Sequence, residues 1–531
     1  MRGDWVDMVR THERSRQPDR SDRSGQAPAD KVGVIDLGSN TARLVIYAYE
    51  PRATYKLTDQ VRERVRLAEG LNESARLQPA PIERAIETLN LFRSLCEASQ
   101  VPHIIALATS AVRDATNQAE FLSQVKRRTR LDLRVLSGPE EAYYGYLGVI
   151  NTLNMQDGLV FDLGGGSIEI TQVQDRRQTR TASLPLGVVR VAERHIPSMP
   201  PTRKQISALV DDVTAQYAQL PWVTGAPGAG DLVGLGGTVR ALAKLDQEAR
   251  KYPLERLHGY VLTAEALDRL IKQMSEMSER LLLAMPGMNA DRVDLILPGA
   301  LVVRELMRAG GFDCFTVSGA GLREGMFFTE FLKGARSPLL PDARAFSIEN
   351  TARHYGAWNK HARHVRDLSL QMFDQLQELH GYGAWERDML SAAAWLHDIG
   401  YTVSFYDHDE HSEYLILNSD LPAYTHRELV LLGLLARFHR KGEVNCGRFC
   451  PLLERGDERR VAVMASMLRL AEYLERGRRQ TVRRLTCFVG DKEILITAGT
   501  RGDAAIELWE ANRNTALMEE TLGRTVHIVK E

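Results

Sequence analysis

Residues 31–50 read KVGVIDLGSNTARLVIYAYE, and residues 158–173 read GLVFDLGGGSIEITQV. In each, an apolar, β-rich run ends in an aspartate, a turn rich in small residues follows, and a second β-rich run returns. Spans 32–35 and 44–49 flank the first turn, which carries Gly38, Ser39 and Asn40, the pattern of a hairpin with an acidic residue at the end of its first strand. Asp162 answers Asp36, and Leu163 and Gly164 answer Leu37 and Gly38, at an offset of 126 residues. Such self-similarity marks an internal duplication, and here it predicts two similar domains facing each other across a cleft.

Outward from the first hairpin, helical spacing over 82–99, with Pro81 at its start, predicts a helix. A strand at 104–109, a helix at 117–128, a strand at 133–137 and a helix opened by Pro139 follow. Strands alternating with helices imply an α/β layer architecture. Two further Gly turns occur in DLVGLGGTVRAL (231–242) and FTVSGAGLREG (315–325). Each follows a β-rich run and precedes a helical pattern, so each can aim backbone N–H groups at an anion. The Pro-containing segment 333–347 reads as a linker. Beyond it the pattern is mainly helical, and RLTCFV, EILITA and AAIELW form a short β-rich tail. The expected partition is a disordered tail at 1–30, α/β domains at 31–150 and 151–332, the linker, a helical domain at 348–480 and a small α/β domain at 481–531.

With 531 residues, the chain is too long for a single core. Lys plus Arg total 68 against 69 Asp plus Glu, a net charge of −1, so the whole molecule offers no electrostatic argument for nucleic acid or a membrane surface. A polyanion would have to be held by local basic residues. No apolar run approaches the roughly 20 residues needed to span a bilayer. The polar first 30 residues have no hydrophobic stretch of the kind a secretory signal needs; they read as a tail or as a basic arm for a polyanion. Five scattered cysteines argue against a disulfide framework and fit a reducing cytoplasm. Cys446 and Cys450 offer two of the four ligands a zinc centre needs.

Two facing Asp-Gly hairpins suit phosphate. Glycine lets backbone amides approach it closely, while the hydroxyls of Ser39, Thr41 and Ser167 add donors. Arg43 and Arg113 can make forked contacts to its oxygens. An aspartate at each strand end suits a divalent cation, and Mg2+ is expected where phosphates complete the shell. Hydrolysis needs a group that deprotonates water. Glu140, Glu141 and Glu169 are candidates, although glutamate at a helix start also serves simply as a partner of the helix dipole.

The ordered set VIDLGSNTARLVI, ATSAVRDATN, LSGPEEA, VFDLGGGSIEI, LPLGVVRVAE, GLGGTVRALA and VSGAGLREGMFF spans roughly residues 31–330. It closely resembles the exopolyphosphatase and guanosine pentaphosphate phosphohydrolase family, within the superfamily of acetate and sugar kinases, actin and heat-shock chaperones. The resemblance implies two ribonuclease-H-like domains with substrate between them. It implies Glu141 as general base, and Asp162 and Glu169 as catalytic residues that hold Mg2+ and assist the attacking water. Asp36, Gly38, Ser39, Asn40, Thr41 and Arg43 would line one phosphate loop, and Gly164, Gly165, Gly166 and Ser167 the other. Arg113, Gly236, Gly237 and Thr238 would complete the phosphate contacts. WLHDIGY, with histidines on either side, resembles HD-type phosphohydrolases and the helical third domain of longer family members. A metal set of His364, His397, Asp398 and Glu472 follows, with Glu472 where such sites usually carry Asp; a degenerate, purely structural domain is the alternative. Lys360, Arg363, Arg366, Arg440 and Lys441 would extend a basic channel or form a solvated face.

The leading expectation is a cytoplasmic, homodimeric, Mg2+-dependent exopolyphosphatase acting on inorganic polyphosphate, with no nucleic acid or membrane partner. A guanosine pentaphosphate 5′-phosphohydrolase, a kinase-like phosphotransferase and a non-enzymatic nucleotide sensor are the rivals.

Overall fold

The computed structural model describes residues 30–531 except 226, 227 and 229. The expected N-terminal tail lies outside the described residues, apart from Asp30, which opens the first strand.

Strands β1 (Asp30–Leu37) and β2 (Thr41–Glu50) form the expected hairpin, with β3 (Thr54–Arg64) added antiparallel. Strands β4 (His103–Ala108) and β5 (Leu133–Val135) extend the sheet in parallel, giving the order β3-β2-β1-β4-β5. Alternation along β1 sends Val32 and Val34 to one face and Ile35 and Leu37 to the other, so the sheet is covered on both sides.

The second sheet repeats this plan. Strands β6 (Gly158–Leu163), β7 (Ile168–Gln174) and β8 (Arg177–Leu184) make an antiparallel meander. Strand β9 (Asp231–Leu235) joins β6 in parallel, with β10 (Val261–Thr263) and β11 (Cys314–Val317) beyond it, in the order β10-β11-β9-β6-β7-β8. The duplication read from the sequence is therefore a duplication of topology. The chain then crosses back: helix Leu322–Phe331 packs on helix Gly138–Ile150 and buries Phe327 and Phe331 against Tyr47, Tyr49 and Tyr55 of the first sheet.

The segment expected as a linker is shorter than 333–347, because helix Ala343–His354 already begins within it, capped by the Asp342 carboxylate accepting from the amide of Ala345. After it come helices Lys360–Gln375, Ala384–Leu396, His408–Asn418, His426–Arg437 and Asp457–Leu474. Strands β12 (Val482–Val489), β13 (Glu493–Thr500) and β14 (Thr525–Lys530) form a closing sheet. Segments 348–480 and 481–531, expected as separate domains, share one apolar core: Ile494, Ile496 and Ile528 belong to the same cluster as Val365, Met372 and Leu468. Cys446 and Cys450, read from the sequence as two of the four ligands of a zinc centre, are instead joined by a disulfide across one short turn. No described helix is long and apolar enough to cross a membrane.

Candidate active site

The two hairpins meet at the cleft with matched geometry. Asp36 pairs in register with Arg43, and Asp162 with Glu169. The amide of Gly38 donates to the Thr41 carbonyl at 3.1 Å, and that of Gly164 to the Ser167 carbonyl at 3.0 Å. The duplicated frame thus carries a cation on one side, at Arg43, and an anion on the other, at Glu169. The loops touch: a Cβ on Gly165 of the second turn would come within 2.9 Å of the Ser39 side chain of the first.

A cavity of about 120 Å3 lies between them. Asp36, Glu141 and Asp162 line it together, as do Gly38, Ser39, Asn40, Thr41, Arg43, Gly164, Gly165, Gly236 and Gly237. Gly236 adopts φ 103°, and a Cβ there would meet the Leu163 carbonyl, so the turn into helix Gly237–Arg250 requires glycine. Gly166, Ser167, Glu169 and Thr238 stand just behind this lining. Thr238 accepts a hydrogen bond from Arg292 at 3.2 Å.

Arg113, expected to grip phosphate, is not among the residues that line this cavity. Its Nη1 donates to Glu141 Oε2 at 2.9 Å and to the Leu136 carbonyl at 3.0 Å. It holds the glutamate instead of lining the cavity. Glu141 sits in the first turn of helix Gly138–Ile150, which the Ser137–Glu140 capping box starts, so Glu140 is spent on the cap and Glu141 points inward, 8% exposed.

Sequence reading missed three arginines that line the cavity: Arg240, Arg292 and Arg323. Arg240 and Arg323 lie in the first turn of the helices that follow the third and fourth Gly turns, a signal the quoted motifs contain. Arg292 sits in a short 3-10 turn far from any motif. Burial, with Arg240 and Arg323 nearby, pulls Arg43 down to about 9. Burial and Arg323 bring Arg240 to about 10, and burial with Arg62 and Arg43 does the same for Arg292. The buried Nε of Arg323 and Nδ2 of Asn40 have no hydrogen-bond partner among the described residues. Crowded guanidiniums and idle buried donors are costly unless an anion joins them.

The acidic groups are frustrated in the opposite sense. Burial, then the charge of Glu169, raises the Glu141 carboxyl well above its ordinary range against the pull of Arg113. Burial lifts Asp162 to about 6 and Glu169 to about 7. Asp36 is raised by burial, opposed by Arg323 and Arg43. Glu169 Oε2 is buried without a hydrogen-bond partner among the described residues, beside Asp162. Two adjacent carboxylates, one buried with an idle oxygen and one facing the cavity, suit a hard divalent cation.

Arg43, Arg240 and Arg323 line a second cavity as well, of about 810 Å3, which continues past Lys56, Arg62, His258 and His354 to the helical region. The expected channel residues do not line it. Arg366 is held by Asp367 and Ser391, and Lys441 pairs with Asp407. The proposed metal set is also rearranged. His397, Asp398 and Glu472 converge, joined by His361. His364, three residues along the same helix, faces elsewhere, with Nε2 2.7 Å from the Val482 carbonyl.

Comparison with known proteins matches the Ppx/GppA phosphatase family over residues 45–334 and Ppx/GppA phosphatase domain III over residues 343–502. The chain is 29% identical over 486 residues to the guanosine-5′-triphosphate,3′-diphosphate pyrophosphatase of Aeromonas hydrophila, covering 87% of this chain and 91% of that protein. It is 31% identical over 329 residues to exopolyphosphatase 1 of Mycobacterium tuberculosis, covering 61% of this chain and 95% of that protein. The crystal structure of the Aquifex aeolicus member of the Ppx/GppA protein family is similar with 29% identity and a TM-score of 0.51, over 58% of this chain and 100% of that one.

Proposed function

The chain belongs to the Ppx/GppA phosphatase family, and on that premise we propose that it is an exopolyphosphatase, releasing phosphate from the end of inorganic polyphosphate. One observation carries this reading: Arg43, Arg240 and Arg323 line both cavities, so a site sized for a terminal phosphate opens through an arginine neck into a basin of about 810 Å3 with further basic walls. A linear polyanion matches that shape, with its end in the small cavity and its remaining units in the basin.

In the proposed mechanism, backbone amides of the Gly turns and the arginines receive the terminal phosphate oxygens. Glu141, held by Arg113, accepts a proton at its carboxylate from a water placed in line with the terminal phosphorus. The new O–P bond forms as the bridging P–O bond breaks, and the electron pair leaves on the bridging oxygen of the shortened chain. Positioning and charge stabilisation supply most of the acceleration. Asp162 and Glu169 would hold Mg2+, which supplies charge neutralisation at the phosphate oxygens when bound.

Hydrolysis of guanosine pentaphosphate is the second reading, favoured by the Aeromonas relative, which aligns over 87% of this chain. A cytoplasmic setting and a homodimer are parts of the same proposal. The deciding experiment measures phosphate release from long-chain polyphosphate and from guanosine pentaphosphate side by side, with and without Mg2+. Higher kcat/KM on polyphosphate supports the first reading, and the reverse order replaces it with the second.

A further inference from the structure

Outside the cleft, the helical region gathers six side chains of metal-ligating type around Asp398. His361 comes from helix Lys360–Gln375, His397 and Asp398 follow helix Ala384–Leu396, and His408 opens helix His408–Asn418. His439 follows helix His426–Arg437, and Glu472 lies in helix Asp457–Leu474. His397, His408 and His439 are fully buried, His361 is 8% exposed and Glu472 4% exposed.

Three of the rings are locked in the same way. The Nδ1 of His397 faces the Ala394 carbonyl at 2.8 Å, that of His408 the Phe405 carbonyl at 2.9 Å, and that of His439 the Ala436 carbonyl at 2.6 Å. A ring that donates from Nδ1 presents a lone pair at Nε2, the arrangement found behind metal-ligating histidines. All three Nε2 atoms surround Asp398 Oδ1, at 3.6, 3.5 and 3.6 Å. His361 Nε2 lies 3.1 Å from Glu472 Oε2 and 3.4 Å from Asp398 Oδ2. Of these atoms, His361 Nε2, His439 Nε2 and Asp398 Oδ1 have no hydrogen-bond partner among the described residues. Two of the ring nitrogens do have partners: His397 Nε2 lies 3.3 Å from Glu472 Oε2, and His408 Nε2 lies 3.4 Å from Arg440 Nη1. Donors about 2.1 Å from a tetrahedrally bound ion stand roughly 3.4 Å apart, which is the spacing seen here.

We propose that this cluster is a two-metal centre for first-row transition cations such as Mn2+, Fe2+ or Zn2+, bridged by Asp398. His361, His397 and Glu472 hold one ion, and His408 and His439 hold the other; each set, together with Asp398, has its ligand atoms within 4.8 Å of one another. Four imidazoles with two carboxylates favour this class over Mg2+ or Ca2+, which take oxygen ligands. Arg478 donates to Asp398 Oδ2 at 2.8 Å and orients the bridge. The inference stands apart from the polyphosphate reading, because none of these residues lines the cleft.

The test uses the full chain, loaded separately with Mn2+, Fe2+ and Zn2+, freed of loose metal by gel filtration and assayed for metal content. The difference between wild type and Asp398→Asn should be about two ions per chain, while Glu472→Gln and His439→Gln should each lose about one. Equal content in wild type and Asp398→Asn overturns the site, and a difference of one ion overturns the bridged pair. Electron paramagnetic resonance of Mn2+-loaded wild type needs no variant to fold: exchange-coupled signals support the pair, and only isolated-ion signals exclude it. The Glu141→Gln variant should carry the wild-type metal content even if phosphate release is lost.

Discussion

Glu141, which lines the small cavity, forms a partly buried ion pair 2.9 Å long with Arg113 behind it. If Glu141 takes the proton from water, Glu141→Gln should lower kcat about 10²–10⁴-fold with little change in KM, as measured by phosphate release from polyphosphate. The pair also sets the pH response. Glu141 must be ionised to act, and its carboxyl is raised by burial and by Glu169, so activity climbs as pH rises through its titration. The positive charge of Arg113 lowers that titration, and Arg113→Met should therefore move the acidic limb of the kcat/KM profile to higher pH. Among single residues, the acidic ones were legible in the sequence because each sits inside a local motif. Arg292 was not, because only tertiary folding lays it over Gly237 and beside Thr238. His361 was missed in favour of His364 because both lie on one helix, and the side that packs against Asp457–Leu474 decides between them.

At the scale of elements, the repeated hairpin was readable because its information is local: strand, aspartate, turn, strand. What the repeat does not encode is how the halves are joined. Helices Gly138–Ile150 and Leu322–Phe331 cross so closely that a Cβ on Gly148 would meet the Gly321 carbonyl, and one on Gly325 the Tyr144 carbonyl. Nothing in GLREGMFF announces that its helix returns to the first sheet. Gly325→Ala should destabilise the chain by about 1–3 kcal/mol through overpacking, read as a lower urea midpoint with an unchanged slope.

For the whole molecule, the helical region is docked through neutral histidines. The His426 ring contacts the Tyr252 hydroxyl at Nδ1, 2.9 Å away, and the His258 carbonyl at Nε2, 3.1 Å away. His258 Nε2 lies 2.9 Å from the Thr152 carbonyl, and its Nδ1 accepts from the Gly319 amide at 3.1 Å. Burial depresses His426 to about 4 and His258 to about 3. Their contribution is therefore complete above the ordinary histidine value near 6.5 and is lost as pH falls toward those depressed values. His426 alone should cost up to about 1.4 kcal/mol per pH unit in that window. Thermal unfolding between pH 7 and pH 4.5 should show the fall, and His426→Gln should flatten it. The basin gives a second whole-molecule test: Lys56→Ala should raise KM for long polyphosphate more than for short chains, with kcat kept. The tight crossing beneath the cleft also has a mechanical meaning. Backbones in direct contact cannot slide past each other, so the crossing works like a rivet: it pins the base on which the two phosphate-facing hairpins stand and keeps their spacing fixed.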